Sequence, residues 1–348
     1  MESRPLVSVI VPNYMHAAYL DKRLQSIADQ TFTNFEVIML DDASTDRSVD
    51  ILRAWEAKDA RFRFIPNDVN SGSTFHQWNK GVAEAQGDYL WIAESDDWAD
   101  PHLLEHLVPL MDANPGVGIA FGQSMLVNAV GVEMHSFDVN YRYIFKHDRW
   151  TLPYLNDGRD EIRNYMMLHN IVPNASGALL RKSMYDAIGG ADPNWKLNGD
   201  WMFYIRMLEV GDIAYTPEIL NYFRLHQQTQ RIKANASGHV YTELLRIVDY
   251  IRDHHAPEPK VRRKAYRNIA SWWTHSLYRQ QWGTPGNARI NWQLFQRFLK
   301  VHPLVLLHIP YEGLVRIAVR ALELMGLKEP IRRILHTIFP TRFMPKSQ

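Results

Sequence analysis

Over the first hundred residues, four short apolar runs alternate with helical patterns, and this alternation limits what the chain can fold into. Val7–Val11 is β-branched except at Ser8, Phe35–Leu40 and Tyr89–Ala93 are nearly continuous apolar runs, and Arg61–Ile65 is a shorter one. Runs without polar alternation read as strands buried on both faces, the habit of parallel sheets. Between them, Leu20–Ala28 places Leu20, Leu24 and Ile27 on one face, Ser48–Ala57 follows Ser44 and Thr45 as cap candidates, and Thr74–Glu84 is a third helical stretch. This order predicts a right-handed, mostly parallel, Rossmann-like α/β sheet flanked by helices.

Ligands of such sheets bind beyond the carboxyl ends of the strands. Two of the four strands end there in acids, Asp41-Asp42 and Glu94-Ser95-Asp96-Asp97. One acidic pair alone is as readily a helix cap or a solvated turn. Two at equivalent strand ends repel each other unless a cation sits among them.

The pattern loosens after Ile119. Phe121–Val130 suggests a strand pair, Tyr141–Asn156 shows no clear period and reads as a lid or acceptor-side loop, and Ser176–Leu180 with Ser183–Ala187 resumes strand and helix. Trp201–Val210 is a helix with Phe203, Met207 and Val210 on one face, Asp200 at its entrance and Gly211 at its end. Beyond Gly238 the expected elements are basic, aromatic helices over Val240–His254, Lys260–Trp282, Ile290–Lys300 and Leu314–Met325. The chain therefore divides into a catalytic domain over 1–238 and a helical C-terminal region over 239–348.

Composition adds exclusions. The 348 residues contain no cysteine, which removes disulfides, thiolate metal sites and cysteine nucleophiles. The net charge of +1 conceals 21 basic and 31 acidic side chains over 1–239 against 18 basic and 7 acidic over 240–348, so the two parts are expected to meet different partners. The first apolar run, Leu6–Pro12, is too short for a signal peptide or a membrane span, which gives a cytoplasmic expectation.

Four segments together resemble glycosyltransferase family 2, with its GT-A fold: SVIVPNYMH from Ser8, FEVIMLDDASTDRS from Phe35, NSGSTFHQWNKGVAEAQGDYLWIAESDDW from Asn70, and IGGADPNWKLNGDWMFYIRMLEVG from Ile188. The resemblance covers roughly residues 5–228. It implies an inverting, metal-dependent transfer of a sugar from a nucleoside-diphosphate donor, most simply a UDP-sugar, to a hydroxyl of a glycan or lipid-linked acceptor in surface polysaccharide synthesis.

The resemblance also implies roles. Asp41 would contact the base or ribose, with Asp42 beside it and Pro12 and Tyr14 flanking the base, although Tyr14 serves equally as a loop aromatic packed on the sheet edge. Asn70, Gly72 and Lys80 fall on the donor side. Glu94-Ser95-Asp96-Asp97 stands where the family has its DXD-type motif, with Glu94 in place of the usual first Asp, so manganese or magnesium is assigned chiefly to Asp96 and Asp97, with His226 as a further metal or phosphate contact. The catalytic base carries over to Asp200, whose preceding family Glu is here Gly199; capping of the helix is the other reading of Asp200. Arg224 would approach the diphosphate, while Trp201 and the loop of Asn174, Ser176 and Gly177 belong to the diphosphate or acceptor side.

The basic C-terminal region is outside the resemblance. Arg316, Arg320 and Glu323 make a narrow polar stripe, followed by Arg332, Arg333, Phe339 and Phe343. Either it lies on an anionic membrane as a peripheral anchor, or it packs on the catalytic core or a second subunit. Nucleic acid is not expected, because no recognised module accompanies the basic helices. A sugar-nucleotide pyrophosphorylase would need a glycine-rich loop where this chain has PNYMHAAYL. The remaining alternative is a catalytically degenerate nucleotide- or glycan-binding member, suggested by Glu94 and Gly199.

Overall fold

The computed structural model describes residues 4–225, 238–277, 285–307, 310, 311 and 314. His226 and the polar stripe expected at Arg316, Arg320 and Glu323 lie outside the described residues, as do Arg332, Arg333, Phe339 and Phe343.

Strand β1 (Val7–Asn13) is buried along its whole length and runs parallel to β2 (Phe35–Asp41) on one side and β4 (Tyr89–Ile92) on the other, with β3 (Phe62–Pro66) parallel beyond β2. The register sets Asn13 opposite Asp41, so the first two loops leave the sheet at the same level. Alternate residues Val7, Val9 and Val11 join Leu20, Leu24, Leu52 and Leu107 in one core. That core lies beneath α1 (Ala17–Ala28), α2 (Ser48–Lys58) and α4 (Leu103–Asp112). The opposite face is covered by α3 (Thr74–Glu84), which comes so close that a Cβ on Gly81 would stand 2.4 Å from Ile10 Cγ2.

The ten-stranded sheet has the order β3-β2-β1-β4-β9-β6-β10-β5, with β7 on β6 and β8 on β10. Here β5 is Trp98–Ala99, β6 Val117–Val127, β7 Glu133–Ser136, β8 Tyr154–Asn156, β9 Ala178–Arg181 and β10 Asp212–Arg224, with the short helices α6 (Gly158–Glu161) and α7 (Lys182–Ala187) in the connections between them. The long ladders, β1 with β2 and β6 with β10, are parallel, while the antiparallel pairings of β9, β5, β7 and β8 are short.

Three segments differ from expectation. The strand pair expected in Phe121–Val130 is one long buried strand, β6, with β7 returning after a turn in which Asn128 Oδ1 accepts the N–H groups of Val130 and Val132. The aperiodic stretch Tyr141–Asn156 contains the end of α5 (Phe137–Phe145), a 3₁₀ turn at Arg149–Thr151, and β8. It is fixed by the buried Arg149–Glu161 pair, bidentate at 2.8 Å, with the guanidinium between the rings of Tyr154 and Tyr165. Strand β10 went unread because Pro217 interrupts its pattern, and the ladder with β6 shifts register between Thr216 and Ile219.

The chain falls into two compact units. The first holds most of the residues through β10, and the second holds Tyr143–Phe145, Met167–His169 and the helices His239–His255, Pro259–Leu277 and Pro285–Val301. Within the second unit Leu245, Val248, Ile269 and Trp273 are buried, and Trp273 stacks on Phe298 at 5.2 Å. No helix among the described residues is long and apolar enough to cross a membrane.

Candidate active site

The loops beyond β1, β2 and β4 build the site. Pro12 pairs with Leu40 inside the sheet, and Tyr14, just past the end of β1, is 50 % exposed. Asp41 is buried: Oδ1 accepts from Asn13 Nδ2 at 2.7 Å and Oδ2 from the Ser44 N–H at 2.8 Å. These bonds fold the 43–46 turn back toward the β1 loop, where the Met15 N–H donates to Ser44 Oγ at 2.9 Å. Both Met15 (φ 59°) and Ala43 (φ 61°) are left-handed, a conformation that costs non-glycine residues energy and gathers at ligand-binding loops.

Asp42 is the hub of the neighbouring loop. Its Oδ1 accepts from Asn67 Nδ2, the Ser71 N–H and Gln77 Nε2 at 2.7–2.8 Å, and its Oδ2 from Ser71 Oγ at 2.9 Å. Asn70 donates to the Asp42 carbonyl and accepts from the Gly72 N–H, while Gly72 takes φ +73°, which glycine adopts freely. Lys80 ties Nζ to Asn67 Oδ1 and to the Pro66 carbonyl. Asn70, Gly72 and Lys80 thus shape the loop that Asp42 anchors.

The acidic turn follows β4. Glu94 Oε1 accepts from Trp78 Nε1 at 2.8 Å, and its N–H donates to Ser176 Oγ at 3.1 Å. Ser95 Oγ is 2.8 Å from His16 Nδ1. Asp97 is buried, with Oδ2 accepting from Asn174 Nδ2 at 2.8 Å and Oδ1 from the Arg224 N–H at 2.9 Å. Asn174 Oδ1 in turn accepts from the Gly177 N–H and from Asn221 Nδ2, so β10 and the 174–177 turn hold Asp97 together. The Arg224 guanidinium donates from Nε to the Asp96 carbonyl and from Nη1 to the Ala129 carbonyl, both at 2.9 Å. Burial, with Asp96 alongside, pushes Glu94 up to about 8 and Asp97 up to about 7. Two acids with raised pKa values crowded beside a third are a set that a hard divalent cation relieves.

Among the described residues no three His, Cys, Asp or Glu side chains converge as a ready metal cage. The carboxylates fit a cation that keeps part of its shell for phosphate oxygens, as magnesium commonly does. Asp96 is half-buried, whereas both oxygens of Asp97 are already hydrogen-bonded inward.

Asp200 lies in the first turn of α8 (Gly199–Val210), where Asn198 occupies the capping position. Negative charge is favoured there by the helix dipole. Asn170 Nδ2 donates to Asp200 Oδ2 at 3.3 Å. One turn on, the Tyr204 hydroxyl is buried, and burial followed by the charges of Asp200 and Glu94 raises its pKa well above the usual value. Trp78, whose Nε1 holds Glu94, meets Phe203 of this helix edge-on at 5.7 Å, so α8 and the acidic turn share one region of the protein. Trp201 is buried, with Nε1 donating to the Met166 carbonyl at 3.0 Å. Gly199 answers a steric demand, since a Cβ there would lie 2.4 Å from Phe75 Cε2 and 2.7 Å from Trp195 Cβ.

Asn13, Ser71, Gln77, Trp78 and Asn221 were missed in the sequence because polar partners at these separations leave no periodic signal. Arg23 was missed as well, although its place at i+3 from Leu20 and directly before Leu24 on the buried face of α1 was a signal that could have found it.

Comparison with known proteins bears on the family and the fold. The model of "Glycosyl transferase family 2" matches residues 8–189. An uncharacterised glycosyltransferase of Haemophilus influenzae is 31% identical over 229 residues, 65% of this chain and 67% of its own length. A Bacillus subtilis protein, TuaG, described provisionally as a teichuronic acid biosynthesis glycosyltransferase, is 37% identical over 110 residues, 31% of this chain and 43% of its own. Among solved structures, Staphylococcus aureus TarS in complex with UDP-GlcNAc superposes with a TM-score of 0.53 at 17% identity, covering 84% of this chain and 72% of that one. The mannosyltransferase PcManGT of Pyrobaculum calidifontis, in complex with GDP-Man and Mn2+, gives 0.57 at 16% identity, covering 92% and 88%. With the family model spanning more than half the chain and matching the strands that carry Asp41 and the acidic turn, this protein belongs to glycosyl transferase family 2 and is a glycosyltransferase.

Proposed function

We propose that the chain catalyses an inverting transfer of one sugar from a nucleoside-diphosphate sugar, most simply a UDP-sugar, to a hydroxyl of a glycan or lipid-linked acceptor in surface polysaccharide synthesis. The observation that carries this reading is that Trp78 joins the two sides: its Nε1 holds Glu94 of the acidic turn at 2.8 Å, and its ring meets Phe203 of α8, the helix headed by Asp200, edge-on at 5.7 Å. An acceptor-side base and a phosphate-side acidic cluster are thereby neighbours.

The nucleoside would lie against Tyr14 and the Asp41–Ser44 turn, its base stacking on the exposed ring. Asp96, with Glu94 and Asp97 behind it, would hold a manganese or magnesium ion whose chemistry is to neutralise the diphosphate as it leaves. Asp200 takes the proton of the acceptor hydroxyl while that oxygen attacks the anomeric carbon from the face opposite the diphosphate. The new glycosidic bond forms as the sugar–phosphate bond breaks, its electron pair departs with the nucleoside diphosphate, and the configuration inverts. His226 is proposed as a further phosphate or metal contact.

Lys260, Arg263 and Arg267, all exposed, share one face of helix Pro259–Leu277 and suit the anionic surface on which a lipid-linked acceptor would be met. Sedimentation with vesicles containing phosphatidylglycerol, followed by loss of binding in about 0.5–1 M salt, where screening reaches within a few ångströms of each charge, is the expected behaviour of such a contact.

Thermal unfolding with UDP, GDP, CMP and TDP, each with and without manganese, tests the donor side without knowledge of the acceptor. A ligand at about 100 times its dissociation constant stabilises by about 2.7 kcal/mol. A shift confined to one nucleotide and dependent on manganese supports the reading. Absence of any shift favours a degenerate binding module.

A further inference from the structure

Arg23 of α1 has a relative exposure of 0%, and none of its three guanidinium nitrogens has a hydrogen-bond partner among the described residues. Burying a guanidinium without acceptors is costly, so its presence demands an electrostatic reason. Its Cζ lies 5.1 Å from the centre of the Trp91 ring. The charges acting on it are those of Asp97, Asp96 and Glu94, which oppose the effect of burial and leave its pKa at about 10, so it is a cation at neutral pH.

The helix that carries it is fastened to the chain just beyond those acids. Ser26 Oγ donates to the Arg23 carbonyl at 2.8 Å and accepts from the Ala99 N–H at 3.2 Å. Gln30 Nε2 donates to the Asp100 carbonyl at 2.7 Å, and the Thr31 N–H donates to the Pro101 carbonyl at 2.9 Å. The helix that carries the guanidinium is therefore fastened by a seam of bonds to the chain that follows the acids.

We propose that Arg23 is a built-in counter-cation of the acidic turn: a positioning residue that holds Glu94, Asp96 and Asp97 together against their mutual repulsion and competes with a divalent cation for their field. Its second half rests on the cation reading above. The two halves have separate readouts.

The experiment compares Arg23→Met and Arg23→Lys in the full chain, each alone and combined with Asp96→Asn, by thermal unfolding with and without manganese chloride. Without cation, Arg23→Met is expected to lower Tm, and Asp96→Asn to recover part of the loss, because one repelling charge has gone. With manganese, Arg23→Met is expected to gain more stability than the unmodified protein, as about tenfold tighter manganese binding, since one competing charge is removed. Arg23→Lys, which keeps the charge, should follow the unmodified protein in both. An additive cycle together with an unchanged manganese response overturns the proposal and leaves Arg23 as packing alone. Should Arg23→Met fail to fold, Arg23→Gln, which keeps polar length and removes the charge, takes its place: a manganese response enlarged about tenfold supports the counter-cation, and an additive cycle with an unchanged response overturns it. Should the unmodified protein ignore manganese, the cation reading fails by itself, and the cation-free cycle still decides, coupling upholding the counter-charge and additivity overturning it.

Discussion

Gly199→Ala adds one methyl group at the entrance of α8, and the structure sets its cost. The new Cβ would stand 2.4 Å from Phe75 Cε2, 2.6 Å from Phe75 Cζ and 2.7 Å from Trp195 Cβ, whereas carbon atoms rest at about 3.5–4.0 Å. The Phe75 ring must retreat by about 1 Å or more. It is 7% exposed and meets Trp78 edge-on at 5.0 Å, and Trp78 meets Phe203 edge-on at 5.7 Å, so no open space lies behind it. Overpacking of this kind costs about 1–3 kcal/mol. At about 2–4 °C per kcal/mol for a large domain, Tm should fall by about 2–12 °C in scanning calorimetry. The displaced ring bears on Trp78, whose Nε1 holds Glu94, so turnover should fall beyond what the loss of folded protein explains. Phe75→Leu in the Gly199→Ala background should recover most of the stability by removing the obstructing ring edge. An unchanged Tm in Gly199→Ala, or no recovery with the smaller side chain, would refute the steric account of Gly199.

Asp200→Asn should retain nucleotide binding in calorimetric titration and lose about 10²–10⁴ in turnover, the usual contribution of a positioned base; unchanged turnover would move the base elsewhere. Arg149→Met leaves the fully buried Glu161 carboxylate without its bidentate partner and should destabilise the protein by about 3–5 kcal/mol in denaturant unfolding, while Arg149→Met with Glu161→Leu should lose less. Glu94 and Asp97 have folded pKa values of about 8 and about 7, raised from 4.5 and 3.8, so the folded state keeps protons that the unfolded chain has released. Their contribution to cation-free stability is complete below about pH 4 and is lost as pH rises through 7 to 8, by up to several kcal/mol. Glu94→Gln should flatten that slope between pH 5 and 8.5, and a Tm unaffected by the substitution across this range would contradict the raised values.

The parts of this protein that were legible in the sequence are those whose physics is local. Strands β1, β2 and β4 announce themselves because burial on both faces removes polar alternation, and because their registers coincide, the acids that follow them emerge at one edge. What each acid does was not legible. Asp42 reads like Asp41 in sequence, yet it organises a loop through Asn67 and Ser71 of the β3–α3 connection and Gln77 of α3. Strand β10, which brings Arg224 and Asn221 to Asp97, was hidden by Pro217 and a register shift that no single-strand pattern encodes. Gly199 shows the same limit from the other side. In sequence it stands where the resemblance leads one to expect an acid, whereas in the fold a Cβ at this position would press on Phe75 and Trp195. The wall that excludes an acid there also carries Trp78, which holds Glu94 by its indole N–H. Gly199 and Glu94 are thus joined through one packing arrangement, and a substitution at either should be felt at the other through the Phe75–Trp78 contact.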